Sequence, residues 1–366
     1  MRHLFHIIRS HRLLWLLVLV PLPLIGEQAF PERQSLLFVL SIAAIVPLAA
    51  LLSIATEAVA ARTGDALGGL LNATLGNLTE LIIALAALRA GEYMLVKASL
   101  AGAIVANTLF MMGASLLIGG LRHRVQQFNL ANARFQIALL LLAAFAMMVP
   151  SGLAMTEDKA LPQMLSLGVS VLLLVTYALG LLFSLGTHRE FFSGAAHDED
   201  PDALPVSIAL VTLAAVTVLV ALVSEVFIAS LTEASANLGL TPAFVGFVVV
   251  ALVGAAAEMA SAFSAAAKDR LDLSVGIAFG SASQIALFVA PLLVLLSYVL
   301  GPEPMTLQFW PGAILMMVIA VLTAFVVTTG GRSAWFVGVL MLMVYAVFAL
   351  SLFLLPVEAM QAAPGG

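Results

Sequence analysis

The sequence predicts an all-α polytopic membrane protein, with about 11 transmembrane helices arranged as two inverted five-helix repeats plus one N-terminal helix. Composition, the spacing of apolar runs and a pattern that recurs at a fixed offset carry the prediction. Of 366 residues, 63% are hydrophobic and 10% charged, and mean hydropathy is +1.14. No soluble domain of this size could cover so much apolar surface. The limiting dimension is then a hydrocarbon core of about 30 Å, crossed by about 20 helical residues. With no cysteine, disulfides, thiolate metal sites, iron–sulfur clusters and a cysteine nucleophile are excluded.

Apolar runs between charged or turn-forming breaks mark helices over 13–26, 34–61, 64–89, 93–120, 134–155, 161–187, 204–238, 242–267, 272–300, 305–329 and 334–356. The first run follows Arg2, Arg9 and Arg12 and is short enough to resemble a signal peptide. Glu27 in Gly26-Glu27-Gln28-Ala29 stands where a cleavage site needs a small neutral residue, so a retained helix is expected. The expected organisation is a basic tail and extra helix over 1–33, a first repeat over 34–187, an acidic cytoplasmic linker over 188–203, an inverted second repeat over 204–356 and a tail over 357–366.

With the N-terminus in the cytoplasm, Arg2, Arg9, Arg12, Arg62, Arg122, Arg124, Arg134, Arg189, Lys268, Arg270 and Arg332 fall on that side. Only Arg33, Arg89, Lys97 and Lys159 fall outside. This is the asymmetry of the positive-inside rule, and dropping one early span would spoil it. The C-terminus is then outside, and the expected location is a bacterial inner (plasma) membrane.

Two glutamates lie within spans, each in a copy of one local pattern: Gly76-Asn77-Leu78-Thr79-Glu80 and Gly254-Ala255-Ala256-Ala257-Glu258. An ionised carboxylate at mid-bilayer costs roughly 2.5 kcal/mol or more, so the default reading is an ion or proton pathway. The same offset of 178 residues pairs Gly68 with Gly246, Leu95 with Leu273, Gly102 with Gly280 and Leu109-Phe110 with Leu287-Phe288. The turn after the first glutamate helix falls outside and that after the second falls inside, so the copies run in opposite senses. Inverted repeats with glycine-interrupted helices point to a midplane site with alternating access. Close helix packing also accounts for the glycines, but not for paired glutamates at matching depth.

Asn72, Gly76 and Glu80 are four residues apart and Asn77 precedes Glu80 by three, which puts them on adjoining parts of one helical face. The following helix adds Asn107, and its inverted counterpart adds Ser281, Ser283 and Gln284. Carboxylate, amide and hydroxyl oxygens without histidine or cysteine suit a hard cation such as calcium, with Glu80 and Glu258 neutralising one divalent ion. Protons and cation then compete for the same two carboxylates. A transporter that changes access only when the site is filled or protonated would exchange one for the other.

At these residues the chain resembles the calcium/proton antiporters, the cation/proton exchanger family within the cation/calcium exchanger superfamily. The stretch Gly68-Gly69-Leu70-Leu71-Asn72-Ala73-Thr74-Leu75-Gly76-Asn77 through Glu80-Leu81-Ile82-Ile83-Ala84-Leu85 is similar to the family's first α-repeat. Asp272-Leu273 through Gly276-Ile277-Ala278, with Ser283-Gln284-Ile285-Ala286-Leu287-Phe288-Val289, is similar to the second. The resemblance covers about Gln34 to Pro356 and implies a ten-helix exchanger core. It implies that Glu80 and Glu258 bind the cation and accept protons, with Asn77, Asn107 and Gln284 as supporting polar groups. The family's second repeat usually reads Gly-Asn-Ala-Ala-Glu, and this chain has Ala255 in place of the asparagine. Loss of that amide could weaken calcium binding or widen selectivity toward sodium or potassium, unless Ser261 or water replaces it.

Among the other acids, Glu225 stands mid-helix in Ser224-Glu225 as a supporting relay or structural bond. Glu57 and Glu233 share the triplet Thr-Glu-Ala near helix ends, as vestibule acids. The run His197-Asp198-Glu199-Asp200-Pro201-Asp202 reads as a solvated linker. All six histidines fall in the tail or cytoplasmic loops. Neither a protease constellation in a span nor a P-loop is present, so the expectation is a secondary transporter rather than an enzyme, carrying Ca2+ and H+ with no resident cofactor. The alternatives are a Na+(K+)/H+ antiporter on the same scaffold, a passive cation channel, or a proton-conducting subunit of a membrane complex. Expected partners are membrane lipid and inorganic cations, without nucleic acid, and a homo-oligomer is compatible with the sequence.

Overall fold

In lipid every backbone polar group must be satisfied within the protein, which leaves apolar helices as the means of crossing. The computed structural model describes residues 8, 11–63, 65–152, 160–188 and 204–354. A short apolar helix α1 (Leu13–Ala29) precedes α2 (Gln34–Arg62), α3 (Gly68–Arg89), α4 (Tyr93–His123), α5 (Leu130–Gly152), α6 (Leu161–Thr187) and α7 (Val206–Leu238). Then come α8, in two halves (Pro242–Gly254 and Ala256–Ala267) bent by 59°, α9 (Leu271–Leu300), α10 (Pro311–Thr328) and α11 (Trp335–Leu354). Among the described residues, nine helices are long and apolar enough to cross a membrane, ten with the bent pair. The N-terminal helix of the expected eleven is present as α1 but shorter than the others, its first half 3-10 helix (Arg12–Leu19) and its second half starting at Pro21. The acidic run 197–202 and the linker around it lie outside the described residues.

The most apolar stretch of α4 is 78% buried, against 28% in α6, α7 and α11. This puts α4 at the centre and those three against lipid. Close approach between α4 and α8 depends on small residues, as in other membrane helix pairs. A Cβ on Gly102 would lie 2.2 Å from the Phe247 carbonyl oxygen, and one on Gly246 would lie 2.6 Å from Ala98 Cβ. At the other long contact, α2 runs against α7 with Phe38 stacked on Phe227 at 5.1 Å.

In the two sets of five core helices, α2 to α6 and α7 to α11, two irregularities fall at matching positions, whereas the π-helical segments Leu182–Thr187 of α6 and Val245–Val250 of α8 have no such partner among the described residues. α3 is interrupted between Leu75 and Leu78, and α8 at Ala255. The central helices α4 and α9 each contain a π-helical segment, Ala106–Met111 and Ile285–Val289, which correspond at the offset of 178. Such bulges are common at functional sites.

A two-stranded antiparallel ribbon was not foreseen. Strand β1 (Val125–Gln127), after α4, pairs with β2 (Arg332–Ala334), before α11. Three-residue strands are too short to show alternation, which is why they read as loop. Gln126 also donates to the Ala266 carbonyl at 3.0 Å and to Asp269 at 2.8 Å, and His123 Nε2 is 3.1 Å from the Ala267 carbonyl. The loops bearing Arg122, Arg124, Lys268, Arg270 and Arg332 therefore share one end of the bundle. At the opposite end, Tyr93 accepts from Glu303 N–H at 2.7 Å, and serine hydroxyls of α9, α6 and α5 accept from the N–H groups of Met305, Leu307 and Phe309.

Candidate functional site

Glycine places both glutamates at the start of a half-helix. After the break at Gly76-Asn77 the chain resumes at Leu78, and after Ala255 it resumes at Ala256, so Glu80 and Glu258 each stand in the first turn. A helix start presents unpaired N–H groups and a partial positive charge, which favours a carboxylate there. The breaks face one another across the centre. A Cβ on Gly254 would lie 2.9 Å from Glu80 Cγ, and one on Gly76 would lie 3.4 Å from Gln284 Oε1. Glu80 therefore rests against the break in α8, and Gln284 of α9 against the break in α3.

A polar network surrounds Glu258. Asn77 Nδ2 donates to Gln284 Oε1 at 2.5 Å, and Ser281 Oγ donates to Asn77 Oδ1 at 2.7 Å. The Ser281 hydroxyl is also in hydrogen-bond contact with Glu258 Oε2. Glu80 and Glu258 are both partly buried, and Glu80 lies against Gly254, four residues before Glu258. Glu80 Oε1 is sealed from solvent with no hydrogen-bond partner among the described residues, and both amide atoms of the fully buried Asn107 are in the same state. Buried polar groups are nearly always satisfied, so these unmet atoms mark a candidate site.

The π segment that carries Asn107 packs against α9 and the second half of α8. Two carboxylates, two amides and one hydroxyl thus gather from α3, α8 and α9, with the α4 segment that carries Asn107 packed beside them. The network is one-sided: at the offset of 178, Asn77, Ser281 and Gln284 correspond to Ala255, Ala103 and Ala106. Ala255 is thus one of three alanines that stand opposite polar residues of the network.

Other residues singled out in the sequence lie elsewhere. Asn72 is exposed, because the break in α3 destroys the helical phase that would have aligned it with Glu80. Ser283 donates to the carbonyls of Phe279 at 2.8 Å and Gln136 at 3.2 Å, away from the carboxylates. Glu225 is 60% exposed and lies 3.7 Å from Arg89 Nη1, a surface ion pair at the end of α3 rather than a group beside the site. Glu57 is exposed and accepts from Ser53 at 3.0 Å near the basic end of α2. Glu233 is exposed near the far end of α7. Tyr177 was overlooked: its hydroxyl donates to the Ala73 carbonyl at 2.7 Å, in the last turn before the break. A tyrosine inside an apolar run, in a chain with only 4, was the available signal.

Comparison with known proteins finds relatives along nearly the whole chain. The family model described as sodium/calcium exchanger protein matches residues 34–186 and 208–354. A Ca(2+)/H(+) antiporter of Aphanothece halophytica is 38% identical over 360 residues, covering 93% of this chain and 96% of the relative. One of Bacillus subtilis (strain 168) is 38% identical over 341 residues, covering 92% and 97%. The solved structure of native YfkE superposes with a TM-score of 0.81 at 34% identity, over 93% of this chain and all of that one.

Proposed function

Because the chain belongs to the sodium/calcium exchanger protein family, we propose that it is a secondary antiporter that exports Ca2+ from the cytoplasm in exchange for H+, by alternating access at the Glu80 and Glu258 centre. One observation carries the reading: two partly buried carboxylates at facing helix breaks, beside amide oxygens and with one carboxylate oxygen unpaired among the described residues. Calcium takes 6–8 oxygens, and here Glu80, Glu258, Asn77, Asn107 and Gln284 are the candidates to supply them, with Ser281 positioning Asn77 against Glu258. Both carboxylates bare in a water-poor centre is the costly state. Either calcium or protons remove that cost, and a bundle that reorients only when it is removed couples the two flows.

The basic loops gathered at one end support a cytoplasmic assignment for that end, with the N-terminus inside and the C-terminus outside, in a bacterial plasma membrane. Residues 34–187 and 204–356 act as the inverted units, and Glu57 and Glu233 stand toward opposite mouths.

The test is proton movement in proteoliposomes with an imposed pH gradient, adding calcium, sodium, potassium and magnesium separately. Collapse of the gradient by calcium is expected. Collapse by sodium or potassium alone would keep the antiporter and change its substrate, and no response to any cation would favour a channel or a complex subunit. Ala255 favours testing the monovalent reading directly. Ala255→Asn is expected to raise the preference for calcium over sodium in the same assay, and an unchanged ratio would remove the missing amide from selectivity.

A further inference from the structure

We propose that a cavity on the far side of Gln284 is a standing water pocket that brings protons to the cation centre by a route separate from the mouth beside Glu57. The proposal rests on the calcium/proton reading for its purpose, and on the geometry of α5, α6 and α9 for its existence.

The cavity measures about 50 Å³ and is lined by Gln136, Tyr177, Ser184, Gly280, Ser283 and Gln284, among others. A water needs roughly 10–15 Å³ measured in this way and two to four polar partners, so the space suits about three waters. Two amides and two serine hydroxyls in its wall supply the partners. Gln284 is the partition, since its Oε1 accepts from Asn77 on the site side while its side chain lines the cavity. From there hydrogen bonds link Asn77 and Ser281 to Glu258; the two side-chain amides hold this wall but relay no proton, so the proton passes from pocket water to the Glu258 carboxylate when the Gln284 side chain swings aside. Ser184 lies in the last, π-helical turn of α6, which ends at Thr187. That is the end assigned to the cytoplasm.

The other repeat has the opposite character. A Cβ on Gly280 would meet nothing within 4 Å, whereas its counterpart Gly102 is pressed on the Phe247 backbone. Counterparts of Gln136, Ser283 and Gln284 are Ile314, Val105 and Ala106. A cavity that followed only from the backbone symmetry would appear in both halves with similar walls. This one is specified by polar side chains in one half, which is the mark of a water site rather than a packing fault.

Protons suit the space and calcium does not. No carboxylate lines it, so a calcium ion there would meet only neutral oxygens, with no negative charge to offset its own. Glu57, at the other flank on α2, offers the charge that would draw a cation.

The absence of cysteine permits a direct test on the full chain in liposomes. Ser184→Cys is exposed to silver ion, and the thiol left unreacted is then labelled after denaturation. Silver is expected to modify Ser184→Cys with or without saturating calcium. Gly280→Leu, which fills the cavity, is expected to protect that cysteine and slow calcium/proton exchange about tenfold, while calcium/calcium self-exchange of 45Ca stays within about twofold. Gly280→Val serves the same purpose if the leucine variant does not fold. An unreactive Ser184→Cys, natural exchange in the filled variant, or equal slowing of both exchanges would overturn the proposal. Silver reactivity is read without transport, so its failure is distinct from failure of the calcium reading.

Discussion

Glu80→Gln and Glu258→Gln each abolish calcium-driven proton flux in proteoliposomes, a fall of about a hundredfold or more, at 1.36 kcal/mol per factor of ten, while the protein still inserts and runs as a single species in detergent. Glutamine keeps the size of the carboxyl group and removes its charge and its exchangeable proton. One remaining carboxylate neutralises only half of a divalent ion, and a bound calcium would then carry an unpaired charge through the bundle. The two variants fail differently. At Glu258 the new amide still meets Ser281, whereas at Glu80 it faces an oxygen position with no partner among the described residues, so Glu80→Gln is also expected to be the less stable protein. Full transport in either variant would remove that carboxylate from the mechanism. In the natural chain, competition for shared oxygens predicts that apparent calcium affinity falls as protons are added on the same side. A binding curve unmoved by pH would argue against a common site.

Gly102→Ala is expected to cost most of the folded protein, and Gly280→Ala very little, although the two glycines are equivalent at the offset of 178. A methyl on Gly102 would enter the backbone of α8, at 2.2 Å from the Phe247 carbonyl oxygen and 2.4 Å from its Cα. Backbone cannot rotate away as a side chain can, so α4 and α8 must separate, and the Glu258 helix moves with them. Overpacking of this kind typically costs about 1–3 kcal/mol and occasionally more. Gly280→Ala adds its methyl to open space. Thermal unfolding in detergent, followed by size exclusion, checks both, and equal melting temperatures would show that the α4–α8 crossing yields to a methyl group.

These contrasts mark the boundary between what could be read along the chain and what could not. The membrane setting, the ten core spans and the inverted pair of glutamates were legible in the sequence, because a hydrocarbon solvent leaves so few ways to satisfy a backbone. Buried carboxylates are rare there and stand out. Asn77, Asn107, Ser281 and Gln284 were legible as polar residues in apolar runs. Which of them touch one another was not, since Asn77 and Gln284 are 207 residues apart and meet only when α3 and α9 cross. The break in α3 moved Asn72 out of phase with Glu80, a change that a periodicity argument cannot register. Glu225 looked intramembrane by position and lies on the surface with Arg89, because depth along a helix does not give the direction of a side chain around it.

By itself, the sequence determined that this is a helical membrane protein with a repeated acidic motif, since hydropathy and spacing are local properties that survive any packing. Only the tertiary structure decided that Asn77, Ser281 and Gln284 join into one network beside Glu258, and that the wall at Gly280 is open where Gly102 is sealed. The physical reason is that hydrogen bonds and cavities depend on which helices cross and how closely, and that is set by contacts between residues far apart in the chain.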